Sequence, residues 1–187
     1  MKLKKLNAVL SLLSVLALLI HVGYSTFAYI TFYYNPTLKT LTAVPFMVFV
    51  CLHAICGMCS VFLQNDGTRL DTYQKLNRST VIQRVSAALI FPLLILHIKA
   101  YDILQKSSSE GKWFLFGLIM FLQVLFFAVV FLHTAVSFSK AFITLGLLTD
   151  RKKQKTIDRI TYILCTVIMI VTTAAVVRGE LIMFLPG

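Results

Sequence analysis

The chain alternates long apolar runs with short polar interruptions. Five runs stand out, at about residues 6–33, 40–64, 80–104, 113–148 and 157–184. Each exceeds the roughly 20 residues that an α-helix needs to cross the hydrocarbon core of a bilayer. The pattern predicts an all-α integral membrane protein with five transmembrane helices. The connections are short: Asn35-Pro36 breaks the chain after the first run, and Asn65-Asp66-Gly67 opens a polar stretch to Ser79. Ser107 to Gly111 and Asp150 to Lys155 make the last two turns. Short turns favour antiparallel neighbours, hence an up-down bundle. Pro45 and Pro92 fall inside the second and third runs, where they can kink a helix.

Composition leaves little else. Of 187 residues, 58% are hydrophobic, and mean hydropathy is +0.85. Residues 1–187 therefore form a single transmembrane domain, with no room for a soluble catalytic one. The start, with Met1, Lys2, Lys4 and Lys5, resembles a signal peptide, but its run is too long and lacks a small-residue cleavage pattern, so it is expected to be retained. The net charge of +11 is a matter of topology and does not indicate nucleic-acid binding. Thirteen of 18 Lys and Arg lie before run one, between two and three, or between four and five; five lie on the opposite side. The positive-inside rule then places the N-terminus in the cytoplasm and the C-terminus outside, in a bacterial-type cytoplasmic membrane.

Four cysteines, Cys51, Cys56, Cys59 and Cys165, lie outside the outer loops, which argues against a disulfide framework. Cys56-Gly-Met-Cys59 spells a CxxC, but no second pair exists to relay electrons, and the residues read as small packing positions.

The informative chemistry is histidine. There are four, His21, His53, His97 and His133, one in each of the first four runs. Imidazole inside a membrane is costly and marks function or interhelical hydrogen bonding. Depth sorts them. His21 is sixteen residues from Lys5 and His97 thirteen from Arg84, both roughly 20–24 Å above the inner edge. His53, eleven residues from Gln64, and His133, seven from Lys140, lie roughly 10–17 Å above it. Helices one and three thus supply an outer pair, and helices two and four an inner pair. Alternate helices of such a bundle can lie diagonally, as two bis-histidine haems require. Gly57 follows His53 by four residues, so it shares its face, about 40° away, and its missing side chain leaves room for a flat macrocycle; Ser137 holds the same offset from His133. No Asp or Glu lies mid-span, which excludes a carboxylate-rich metal site.

These residues resemble a known family, the five-helix dihaem cytochrome b anchor of succinate:quinone oxidoreductases and quinol:fumarate reductases. The resemblance rests on Leu52-His53-Ala54 with Gly57, Gln83-Arg84-Val85-Ser86 followed by His97, His133 with Ser137-Phe138, and Arg159-Ile160-Thr161-Tyr162 with Arg178. It implies a four-helix bundle holding two haems b plus a peripheral fifth helix. His21 and His97 would ligate the outer haem, and His53 and His133 the inner. The same resemblance implies docking of an iron–sulfur subunit and an FAD flavoprotein on the cytoplasmic side, with a menaquinone-type quinone as substrate in the lipid phase. Electrons would pass between flavin, iron–sulfur clusters, the two haems and quinone, so this chain would be the non-flavin subunit of an oxidoreductase. Ala87 and Val136-Ser137 stand where the family usually has Gly and Asn-Gly, at haem-packing positions. Arg84 and Lys140 could contact haem propionates or the partner, or snorkel to headgroups. Asp102, Arg178 and Glu180, at the outer edge, could form a quinone and proton site; simple interfacial solvation is the favoured expectation for them. Two alternatives remain: a cytochrome b anchor for another flavoprotein reductase, and a haem-free transporter or structural protein that uses histidine to join helices.

Overall fold

The computed structural model describes residues 2–63 and 78–185. The fold is all-α, with five helices: α1 (Lys2–Thr31), α2 (Pro36–Leu63), α3 (Arg78–Ser109), α4 (Trp113–Leu145) and α5 (Arg151–Phe184). All five are long and apolar enough to cross a membrane. Their order and number are those the hydropathy pattern predicts. The Asn65–Gly67 turn, Arg69 and Lys75 lie outside the described residues.

The helix ends follow backbone chemistry, and the hydropathy windows miss them by several residues. Asn35 does more than break the chain. Its Oδ1 accepts from the backbone N–H groups of Thr37 and Leu38 at 3.0 and 3.1 Å, and Pro36 takes the first helical position of α2, where a missing N–H costs nothing. Tyr24 pins this junction to α1 by donating to the Asn35 carbonyl at 2.8 Å. α3 continues past residue 104 to Ser109, and a tight turn follows at Gly111, which adopts the left-handed φ of 67°. There Lys112 pairs with Glu110 at 2.6 Å, and that hydrogen bond first of all holds the Glu110 carboxyl below its ordinary range. α4 stops at Leu145, three residues before its apolar run ends. Gly146, at φ 79°, turns the backbone so that its N–H and that of Leu147 close onto the carbonyls of Ile143 and Phe142. α5 begins six residues before its apolar run, because the Asp150 side chain caps it by accepting from Lys152 N at 2.7 Å.

α4 is the most buried of the helices and packs against α1, α3 and α5. α2 packs chiefly on α1, and α5 lies against α1 and α4. Among the first four helices, α1 and α4 pack on each other, α2 packs on α1 and α3 on α4. The main core joins Leu18, Leu94, Phe126, Phe127, Val130, Phe131 and Val176, from α1, α3, α4 and α5. A second cluster (Ala100, Leu104, Phe116, Ile119, Met120) ties α3 to α4 toward the Gly111 turn. On α2, Leu41, Val44, Val48, Leu52, Ile55, Met58 and Phe62 are exposed, a helical stripe of the kind that faces lipid. The four cysteines are free thiols, half-buried except for buried Cys165.

α1 and α5 approach closely at Gly179. A Cβ there would lie 2.5 Å from Tyr29 Cδ1 and 3.3 Å from the Tyr29 carbonyl oxygen. Part of that obstacle is backbone and cannot rotate away. Gly179→Ala is expected to destabilise the fold by about 1–3 kcal/mol, the usual penalty of overpacking. Thermal unfolding in detergent checks this: an unchanged midpoint would show that α1 yields without penalty.

Candidate functional site

The four histidines fall into two layers. His53 on α2 and His133 on α4 stand together, with ring centroids 6.4 Å apart and ring planes at 60°. That is the geometry of an edge-to-face ring pair, and its spacing is also close to the roughly 6 Å between two imidazoles on opposite sides of one metal. The second nitrogens are held by hydrogen bonds. His53 Nδ1 lies 3.3 Å from the Asn7 carbonyl oxygen. His133 Nδ1 lies 3.1 Å from the Gln83 carbonyl oxygen and 3.0 Å from Ser86 Oγ. A carbonyl oxygen only accepts, so each Nδ1 carries the proton and each Nε2 keeps its lone pair. Ser86 Oγ also donates to the Gln83 carbonyl at 3.0 Å, and Lys140 Nζ donates to Gln83 Oε1 at 2.8 Å. Gln83 thereby links Lys140 to His133.

Three polar atoms near this pair are buried without a hydrogen-bond partner: Asn7 Oδ1, Ser60 Oγ and Ser137 Oγ. Ser60 follows His53 by seven residues and Ser137 follows His133 by four, so both lie toward the end of the bundle that carries Lys2, Lys4, Lys5 and Arg151, here the basic end. An unsatisfied buried polar atom costs about 1–3 kcal/mol. Three such atoms, on α1, α2 and α4, leave this half of the bundle with polar groups in want of a partner. Gly57 adds to the space: a Cβ there would have Asn7 Oδ1 as its nearest neighbour, at 3.9 Å. Ala87 is exposed on α3. Arg84 is half-buried and interacts within the protein.

The second layer lies nearer the opposite end. His21 on α1 stacks on Phe46 (5.7 Å, 10°), and His97 on α3 stacks on Phe126 (4.8 Å, 24°) and meets Phe127 edge-on. Phe46 and Phe126 belong to one apolar cluster, so both histidines border the same core, and they are within electrostatic reach of each other. His21 Nδ1 and His97 Nδ1 are buried and make no hydrogen bond. Unlike the first pair, these rings are positioned by aromatic packing and not by carbonyl oxygens.

Among the described residues no group of three or more His, Cys, Asp or Glu could hold a metal ion.

The three edge residues separate. Asp102 and Arg178 are exposed, as interfacial solvation requires, and Arg178 lies 5.8 Å from the Phe32 ring centroid, within cation–π range. Glu180 is different: it is 1% exposed, so interfacial solvation does not describe it. Gln123 Nε2 on α4 donates to both its oxygens, at 2.9 and 3.1 Å, and the Tyr29 hydroxyl on α1 donates to Oε1 at 3.3 Å. No cation pairs with it among the described residues. Thr26 and Thr172 touch at 3.3 Å between the same two helices, α1 and α5. Gln123 lies beside His97 as well, so it joins the carboxyl to the second histidine layer. The sequence reading overlooked Gln123 and Tyr29. Gln123 did leave a signal, since it is a polar residue interrupting the apolar run from Phe114 to Leu132.

No family model, curated protein or solved structure matches this chain.

Proposed function

We propose that this chain is a dihaem cytochrome b that anchors a dehydrogenase and moves electrons between it and quinone in the membrane. The observation that carries the reading is the His53–His133 pair: centroids at axial-ligand spacing, each Nδ1 turned to a backbone carbonyl, each Nε2 free to bind a metal. His21 and His97 would hold a second haem. Each haem would supply a one-electron redox centre. The protein's share is to fix the ligand rings through Asn7, Gln83 and Ser86, and to exclude water with the Phe126–Phe131 core. The unpartnered Ser60 and Ser137 hydroxyls would donate to a carboxylate-bearing edge of the ligand, and Arg84 and Lys140 would supply positive charge at that end.

At the opposite layer, Glu180, Gln123 and Tyr29 combine a carboxyl with an amide and a phenol. Quinone chemistry needs a proton carrier and hydrogen-bond donors, and this group supplies both. The partner would be an iron–sulfur protein and flavoprotein of the succinate dehydrogenase or fumarate reductase type, docked at the basic end. That end would face the cytoplasm, by the charge asymmetry of the loops.

The test is a dithionite-reduced minus oxidised spectrum of the purified chain, with haem quantified per polypeptide. The expected result is a sharp b-type α band and two haems per chain. A colourless protein from a host that makes haem would overturn the reading. It would favour the haem-free alternative, which the cross-helix bonds Asn7–His53 and Ser86–His133 also support, since histidines used as interhelical glue make such bonds.

A further inference from the structure

A polar cavity of about 250 Å³ lies at the basic ends of α3, α4 and α5, on the basic side of the His53–His133 layer, to which Lys140 is linked through Gln83. Ser79, Ser139, Lys140, Gln154, Asp158 and Tyr162 supply its polar lining, and Ala135 and Val136 its apolar part. Ser139 is 3% exposed, yet its hydroxyl makes no hydrogen bond among the described residues. Gln154 and Asp158 are half-buried and Ser79 and Tyr162 exposed, and none of the four side chains makes a hydrogen bond among the described residues. Lys140 is engaged through Gln83 and lies within electrostatic reach of Asp158. One buried hydroxyl without a partner beside a half-buried lysine and carboxylate makes a cavity suited to a ligand with its own donors and acceptors.

The charges say which kind. Lys140 feels both Arg84 and Asp158, so one part of the cavity is cationic and another carries a carboxylate. A simple anion would satisfy Lys140 and the hydroxyls but would be repelled by Asp158. A simple cation would meet the reverse difficulty. A headgroup that carries a phosphate and, a few atoms away, a primary ammonium satisfies both. The cavity sits where helices leave the apolar zone, flanked by Arg151, Lys152, Lys153, Lys155 and Arg159, at headgroup level. We propose that it binds one phospholipid with an ethanolamine-type head. The phosphate is held by Lys140 with the Ser79, Ser139 and Tyr162 hydroxyls, and the ammonium by Asp158 with the Gln154 amide oxygen. Ala135 and Val136 receive the start of the acyl chains. The inference does not rest on the haem reading.

The full chain in detergent, delipidated and mixed with equal amounts of phosphatidylethanolamine, phosphatidylcholine and phosphatidylglycerol of identical chains, gives the test by native mass spectrometry. The ethanolamine lipid is expected to be retained over the choline lipid by about tenfold, the worth of one charge-assisted hydrogen bond that a trimethylammonium cannot make. Asp158→Asn is expected to abolish that preference while phospholipid is still retained. Lys140→Gln is expected to lower retention of all three lipids. Should K140Q fail to fold, Ser139→Ala and Tyr162→Phe must each weaken retention at an unchanged melting midpoint. Equal retention of the three lipids by the natural chain would overturn the proposal, as would a preference that survives D158N. Displacement of the lipid by equimolar glycerophosphoethanolamine would also overturn it, in favour of a soluble ligand.

Discussion

Replacing His133 by alanine is expected to remove one of two haems and about half of the reducible b-type absorbance, with the other haem kept. Its partner, His53, shares the site at 6.4 Å, so His53→Ala must give the same spectrum, and the double variant must lose no more than either single change. Residues that act as one unit are non-additive in this way. His97→Ala and His21→Ala must remove the other haem. A double variant H53A/H133A that still holds two haems would refute the pairing, and so would H133A depleting both haems equally in a chain that remains folded. Ser86→Ala provides a graded control. It keeps the ligand but loosens the ring, and loss of such a supporting hydrogen bond typically weakens metal affinity or activity about 10–100-fold. The Gln83 carbonyl remains at 3.1 Å, so S86A should fall toward the mild end of that range.

Glu180→Gln is expected to lower quinone turnover about 100-fold while leaving haem content, helix content and electron transfer from dithionite unchanged. The replacement keeps the size of the side chain and removes its capacity to carry a proton. The Gln123 amide at 2.9 Å can still donate to the new side-chain oxygen, so the packing of α4 on α5 is preserved. Asp102→Asn is the comparison. Asp102 is exposed and belongs to no such cluster, and its loss is expected to leave turnover within about twofold, as for surface changes generally. Equal effects of the two substitutions would remove Glu180 from the quinone reaction. A loss in E180Q accompanied by loss of haem would instead mark the residue as structural.

The helices were legible in the sequence because a membrane span needs only length and apolarity, and all five runs satisfy both. Their ends were not, because capping is local: Asp150 starts α5 in charged sequence that hydropathy discards, and Gly146 ends α4 inside an apolar run. Helical rise is constant, so counting from Lys5, Arg84, Gln64 and Lys140 sets His53 and His133 at similar depth, and their rings do meet; Gln64 itself lies outside the described residues. What the count cannot reveal is which partner each imidazole takes. Gln83 and Ser86 lie fifty and forty-seven residues from His133 in the chain, and Asn7 forty-six from His53. Those bonds exist only once α3 meets α4 and α1 meets α2. Asp102 and Glu180 look alike in sequence, each near the end of a run beside basic or aromatic residues. Only packing against α1 and α4 separates the buried carboxyl from the exposed one.

The attachment of α2 chiefly to α1 has a consequence for assembly. With few neighbours besides α1 and its apolar stripe outward, α2 is the helix whose local opening costs least. Its backbone amides are expected to exchange with solvent faster than those of α4, and a ligand bridging His53 and His133, as proposed, would slow them selectively.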